Sequence, residues 1–161
     1  MEQTCIFQKN KKSCAFTGHR ILGEDFSEKA LKNAVKEAIK AGVEIFYCGM
    51  AIGFDLLAAE TVLELKAEFP QIRLVACVPC YGQEKSFSKE DKARYSKALK
   101  NADEQRILSE HYYRGCMQVR DKYMAEHADM LIAYCKKQTG GTAYTVKCFQ
   151  KAHADGEIVF L

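Results

Sequence analysis

Residues 45–60, Ile-Phe-Tyr-Cys-Gly-Met-Ala-Ile-Gly-Phe-Asp-Leu-Leu-Ala-Ala-Glu, constrain this chain more than any other stretch. The first four residues are a run of strand formers, and Gly49 ends it. Gly53 follows, and from Phe54 onward Leu56, Leu57, Ala59 and Leu63 recur at helical spacings of three and four. The stretch therefore reads as strand, glycine loop, helix. Such a unit leaves backbone N–H groups unpaired at a helix N-terminus, where the dipole also favours negative charge. Gly49 and Gly53 would let a phosphate or sugar approach that backbone with no Cβ in the way. Glycine also serves such turns for geometry alone. The loop gains weight because two more glycine-centred loops follow apolar runs elsewhere.

A chain of 161 residues is one domain by length, long enough to bury a full core. With 48% hydrophobic and 28% charged residues and only 2 prolines, it has the composition of a globular protein. A net charge of +3 is too small to announce a nucleic-acid binder. No apolar run approaches the roughly 20 residues that span a bilayer. Residues 1–12 lack the apolar centre of a signal peptide, so a cytoplasmic location away from membranes is expected. Residues 1–12 are read as a loosely attached N-terminal segment and residues 13–161 as one domain. Of the 8 cysteines, Cys14, Cys48, Cys77 and Cys135 fall inside apolar runs, where a reduced thiol acts as a small hydrophobe. Cys77-Val-Pro-Cys80 lacks the second ligand pair that zinc would need, so no metal site is expected.

In chain order, residues 13–17 form a first strand that ends at Gly18-His19-Arg20. Ser27 caps a helix whose apolar stripe is Ala30, Leu31, Ala34, Val35, Ala38 and Ile39, and Gly42 stops it. The second strand and its helix follow, the helix ending before Pro70. Residues 72–78 form a third strand and lead into Pro79-Cys-Tyr-Gly-Gln-Glu84. A charged surface helix over 88–100 precedes a short edge strand at 105–109. A helix over 117–127, a fifth strand at 130–135, a helix over 142–154 and a closing strand complete the alternation.

This rhythm predicts an α/β, Rossmann-like, doubly wound and mainly parallel sheet with right-handed crossovers. The expected strand order is 4-3-2-1-5-6, with the order reversing between strands one and five. Ligands of such sheets bind outside the carboxyl ends of the strands at that reversal. The loops at those ends hold Thr17-Gly-His-Arg20, residues 49–55, Pro79 to Glu84, and Gly140-Gly-Thr142. Glycines and polar residues gather on one edge.

These loops, in this order, resemble the SLOG superfamily, the group that holds the Smf/DprA and Lonely Guy proteins, and most closely its YpsA-like branch. The matching pieces are Thr17-Gly-His-Arg20, Gly49-Met-Ala-Ile-Gly-Phe-Asp-Leu-Leu-Ala-Ala-Glu60, Pro79-Cys-Tyr-Gly-Gln-Glu84, Arg120-Asp-Lys-Tyr-Met124 and Gly140-Gly-Thr-Ala-Tyr-Thr145. The resemblance implies a SLOG-like Rossmann domain over 13–161 that holds a nucleotide or a nucleotide-derived ligand. It also implies relatives that are nucleotide phosphoribohydrolases or single-stranded DNA binders. The Lonely Guy hydrolases carry Pro-Gly-Gly-x-Gly-Thr-x-x-Glu, with an arginine from the preceding helix. Arg120 corresponds to that arginine, whereas Thr145 stands where the glutamate would be. Threonine cannot stabilise an oxocarbenium charge as a carboxylate does.

The catalytic candidates are Asp55, Glu60 and Arg120. Asp55 either stabilises the second helix by its charge or bonds ligand hydroxyls, as a ribose-binding acid does. Glu60, among Ala58, Ala59, Val62 and Leu63, is a carboxylate at the edge of an apolar face or a paired one. If buried near the glycine loops it would have a raised pKa. By its own pattern Arg120 joins Gln118, Asp121 and Lys122 on a solvated helix face, and the resemblance is what brings it into the site. The expected ligand-binding set is Thr17, Gly18, His19, Arg20, Gly49, Met50, Gly53, Asp55, Pro79, Glu84, Arg120, Gly140, Gly141 and Thr142. Tyr81 and Tyr144 are candidates for stacking on a base.

Three functions compete. The first is a binding module for a small nucleotide or NAD-derived ligand, acting as a sensor or regulator, with no fixed cofactor. The second is an enzyme that cleaves or transfers at an N-glycosidic bond. The third is a single-stranded nucleic-acid binder, which the mixed charges of residues 84–100 argue against. Self-association is an option the sequence leaves open.

Overall fold

The computed structural model describes residues 11–161. The expected loose segment 1–12 falls mostly outside them. Lys12 already opens the first strand, and Lys11 Nζ lies 3.6 Å from Glu44.

Six strands and five helices alternate: β1 (Lys12–Gly18), α1 (Glu28–Lys40), β2 (Val43–Cys48), α2 (Phe54–Leu65), β3 (Arg73–Val78), α3 (Lys89–Asn101), β4 (Glu104–Ile107), α4 (Cys116–His127), β5 (Met130–Tyr134), α5 (Gly141–Ala152) and β6 (Glu157–Phe160). A 3-10 turn at Gln83–Ser86, which the sequence pattern does not show, follows β3. The sheet order is β4-β3-β2-β1-β5-β6 and every pairing is parallel. The expected order and its reversal beside β1 are both present.

Strand alternation builds two cores. Cys14, Phe16, Phe46, Cys48, Leu74, Ala76, Met130 and Ile132 face one side, where Leu31 and Val35 of α1, Leu56 and Val62 of α2, and Tyr95 and Ala98 of α3 cover them. Their neighbours Ala15, Ile45, Tyr47, Val75, Cys77, Leu131 and Ala133 face the other, under Met124 and Ala125 of α4 and Val146 and Phe149 of α5. Both sheet faces are apolar, which is why β2, β3 and β5 read as continuous apolar runs rather than alternating ones. Each fully buried Leu, Ile or Phe contributes about 1.5–3 kcal/mol.

Local signals set the helix ends. The Ser27 hydroxyl accepts from the Ala30 amide at 3.1 Å, and Ser88 does the same for Asp91 at 3.1 Å. Each cap contributes on the order of 1 kcal/mol. Because the strands are parallel, the loops after β1, β2, β3 and β5 all leave the same edge. No helix among the described residues is long and apolar enough to cross a membrane.

Candidate functional site

A cleft of about 310 Å³ opens on that edge, between the ends of β1 and β5 and the starts of α2, α4 and α5. Its base is organised by Arg120. This residue is only 4% exposed and lies on the face of α4 that also buries Cys116 and Met124. Its Nη1 donates to the Gly49 carbonyl at 2.5 Å and to Gln83 Oε1 at 3.1 Å, while Nε donates to Asp121 Oδ1 at 2.8 Å. Gln83 in turn donates from Nε2 to the carbonyls of Gly49 and Met50, at 3.2 and 2.9 Å. Met50 sits at φ 62, a conformation costing a non-glycine residue about 1–2 kcal/mol. The Gln83 bond and full burial of the Met50 side chain hold it there.

The two glycines that the sequence offers to a ligand make room for the protein itself. A Cβ at Gly49 would lie 2.8 Å from Arg120 Nη1 and 3.0 Å from Asp55 Oδ2. One at Gly53, where φ is 77, would lie 2.2 Å from the Arg20 carbonyl oxygen. The N-terminus of α2 is likewise engaged by the chain. The Phe54 amide donates to the His19 carbonyl at 3.2 Å, and the Ala51 amide to Asp55 Oδ2 at 3.2 Å. The N-terminus of α5 differs. Gly140 is its N-cap, no side chain caps it, and nothing lies within 4 Å of where a Gly140 Cβ would be.

Charge is divided across the cleft. Asp55 and Asp121 are buried on one side with Arg120. Burial pushes Asp55 up to about 6, against the pull of Arg120 and the Ala51 amide, with Asp121 adding to the rise. Burial also raises Asp121, again opposed by Arg120 and by a hydrogen bond from Thr145. Burial works against the charge of Arg120, but Asp121 and Asp55 outweigh it and raise its pKa. Two buried carboxylates thus share one guanidinium, and Asp55 takes up a proton as pH falls through about 6.

The opposite lip carries Arg20 and Lys137. His19 fastens it: the Lys136 amide donates to His19 Nε2 at 2.8 Å, and His19 Nδ1 lies 3.4 Å from the Thr142 hydroxyl. With Nε2 accepting, the ring is neutral. Burial, then Lys137 and Lys136, lower its pKa accordingly.

Residues 5–159 match the family model described as the YspA SLOG family. The chain belongs to the YspA SLOG family. Its relatives include a UPF0398 protein of Bacillus velezensis, 28% identical over 129 residues that make up 78% of this chain and 71% of that protein. The UPF0398 protein YpsA of Bacillus subtilis is 26% identical over 129 residues, 78% of this chain and 72% of its own length. Among solved structures, DNA processing protein A of Helicobacter pylori, described for its single-stranded DNA binding mode, aligns with TM-score 0.66 and 17% identity. That match covers 96% of this chain and 67% of that one. DNA processing protein A of Streptococcus pneumoniae aligns with TM-score 0.68 and 14% identity over 95% of this chain and 51% of that one. At these identities the likeness is one of fold.

In this SLOG-family chain, nine of the expected ligand residues line the cleft: Thr17, Gly18, His19, Arg20, Asp55, Arg120, Gly140, Gly141 and Thr142. Gly49, Met50 and Gly53 do not line it, and Gly49 packs against Arg120 at its base. Pro79, buried at the end of β3, and Glu84, in the 3-10 turn, do not line it. Glu60 lies elsewhere. It is half-exposed on the flank between α2 and α3 and paired with Arg94, which also reaches Asp91 at 3.1 Å. A charge pair on the outer helix layer, not burial near the glycine loops, explains its place in an apolar stretch. Tyr81 lines a separate hollow with His111 and Tyr112, and Tyr144 does not line the cleft.

Sequence reasoning passed over Gln83, Asp121 and Lys137. Arg120 and Asp121 had a readable signal: they interrupt a stripe whose other members, Cys116, Met124, Ala125 and Ala128, are apolar and buried. Gln83 had none.

Proposed function

We propose that the cleft binds a small nucleotide-derived ligand, phosphate against the Gly140–Thr142 turn, Arg20 and Lys137, and sugar hydroxyls against Asp55 and Asp121. The observation that carries this reading is the division of the cleft into an open helix N-terminus with two cations on one side and two buried carboxylates on the other. A phosphate is matched by N–H groups, a helix dipole and guanidinium geometry. A ribose offers hydroxyl donors to carboxylates, and Asp55, close to its titration point, can accept or donate in return.

The role that fits is that of a sensor or regulatory module. The buried Arg120 network fixes the base of the cleft, and His19 ties the β1 loop to the β5 loop, so ligand on the lip would be felt in both. Calorimetric titration with purine and pyrimidine nucleotides tests this. Arg20→Ala should lower affinity for all phosphorylated ligands about tenfold or more. Asp55→Asn should weaken nucleotides while leaving inorganic phosphate unaffected. Equal binding of nucleotides by parent and Arg20→Ala would place the site elsewhere.

A second reading has one observation in its favour. Two buried carboxylates beside a buried arginine, one with a pKa of about 6, suit acid chemistry at an N-glycosidic bond. Release of free base from a bound nucleotide, absent in Asp55→Asn and Asp121→Asn, would establish it. A single-stranded nucleic-acid track is less well supported. Two cations of the α2–α3 flank are committed to ion pairs, Arg94 with Glu60 and Asp91 and Lys66 with Asp103.

A further inference from the structure

Cys77 and Cys80, the two cysteines nearest in sequence, are not the pair that meets in space. Cys77 packs in the core beneath α4 and α5, whereas Cys80 lies beyond β3, in the segment that turns at Gln83. The Cys80 thiol faces the thiol of Cys116, the first residue of α4. Both residues are buried, 2% and 1% exposed, and neither is bridged. Burial first, and then the Cys116 thiol beside it, push the Cys80 pKa up, which keeps that thiol protonated in the closed fold.

This pair sits at a joint. Cys80 precedes Gln83 in the segment after β3, and Cys116 lies one helical turn before Arg120 on the same buried face of α4. The Gln83 and Arg120 side chains meet at 3.1 Å at the base of the cleft. The thiol contact and that hydrogen bond therefore join the same two segments. Residues 110–114, all exposed, lead directly into Cys116. Backbone bonds hold this loop at either end, the Tyr81 amide donating to the Ser109 carbonyl at 3.4 Å and the Cys116 amide to the Tyr113 carbonyl at 3.1 Å. An exposed loop held this way opens locally at small cost, and its opening would bare the thiols. Two chemistries suit a close dithiol, metal binding and disulfide formation. A metal needs further donors, and among the described residues no group of three or more His, Cys, Asp or Glu could hold an ion. A disulfide needs only the two sulfurs.

We infer that Cys80 and Cys116 are a reversible oxidation site, converted by a peroxide to a disulfide that clamps the turn after β3 to the start of α4. One thiol, once ionised, attacks a peroxide oxygen. An S–O bond forms, the O–O bond breaks, and a sulfenic acid and one water result. The second thiol, ionised in turn, attacks that sulfur. The S–S bond forms, the S–O bond breaks, and the departing hydroxide takes up a proton as a second water. Two thiols are oxidised and one peroxide is reduced. The bridge closes residues 80–116 into a loop, which restricts the unfolded chain, and it stands beside the bond that fixes the cleft base. Its chemistry is independent of what the cleft binds.

The test treats the folded full chain with hydrogen peroxide, blocks the remaining thiols, and reads intact mass and peptides mapped without reduction. The first product should have lost two hydrogens and should yield a peptide linked through Cys80 and Cys116. Dithiothreitol should reverse both changes. The urea midpoint of the oxidised chain should lie about 1 M or more above that of the reduced chain. Cys80→Ala and Cys116→Ala should each abolish the bridge and the rise, and the mapping of the parent needs neither variant. A first bridge at any other cysteine, oxidation of either residue to a sulfinic acid without a bridge, or thiols that all survive the peroxide would overturn the site. A Cys80–Cys116 bridge that leaves the urea midpoint unmoved would overturn the clamp.

Discussion

Arg120 Nη1 lies 2.5 Å from the carbonyl oxygen of Gly49, a residue 71 positions earlier in the chain, and occupies space that any side chain at 49 would need. The contact ties α4 to the end of β2. It also explains why glycine follows β2 without reference to a ligand.

Gly49→Ala should therefore destabilise the fold itself. The new Cβ would meet Arg120 Cζ at 2.9 Å, and overpacking of this kind costs about 1–3 kcal/mol. Gly141→Ala is the comparison, since the nearest atom to a Cβ there is Asp121 Oδ2 at 3.7 Å. It should stay within about 1 kcal/mol of the parent. Urea denaturation of the two variants checks the contrast, and equal stabilities would contradict it.

Asp55 makes stability depend on pH with a definite sign. Its folded pKa of about 6 lies above the ordinary 3.8, so the folded state holds the proton more tightly. The protonated form contributes fully below about 3.8, and the contribution is lost as pH rises through 6. Above that, the ionised group costs the fold at most about 3 kcal/mol. Asp55→Asn, an isostere of the protonated acid, should be more stable than the parent at pH 8, with the difference vanishing near pH 4. A parent more stable than the variant at pH 8 would mean that attraction to Arg120 outweighs burial.

His19 titrates in the opposite sense. Its pKa is lowered from 6.5, so the strap to Lys136 is fully present above 6.5 and is lost as pH falls through the lowered folded value. The Lys136 amide should lose hydrogen-exchange protection on going from about pH 7.5 to 5.5, after correction for intrinsic rates, while amides of β5 keep theirs. Unchanged protection would show that Thr142 and the loop backbone hold the lip without the imidazole.

Glu60→Gln separates a surface pair from a catalytic acid. With its side chain 42% exposed and its partner Arg94 on α3, Glu60 should contribute no more than about 1 kcal/mol to stability. The substitution should leave nucleotide binding at the cleft unchanged. A variant of parental stability that no longer binds would return Glu60 to the site.

Periodicity and punctuation in the sequence were enough to determine the alternation of strands and helices, the cap at Ser27, the sheet order and the edge on which the cleft opens. Each is a local pattern, or follows from the handedness and burial of a parallel sheet. Thr17 to Arg20 and Gly140 to Thr142 were legible for the same reason, as loops at strand ends. Only the tertiary structure decided what the residues do within that frame. It buried Arg120 and Asp121, whose charge read as a solvated face although they interrupt an apolar stripe, and moved Glu60 to an outer flank. It also turned Gly49 and Gly53 into space for Arg120 and the Arg20 backbone rather than for a ligand. The physical reason is that a buried charge is stabilised by partners distant in sequence. Gly49 and Asp55 from the segment after β2 and Gln83 from the turn after β3 surround Arg120, and no local pattern in α4 records either segment.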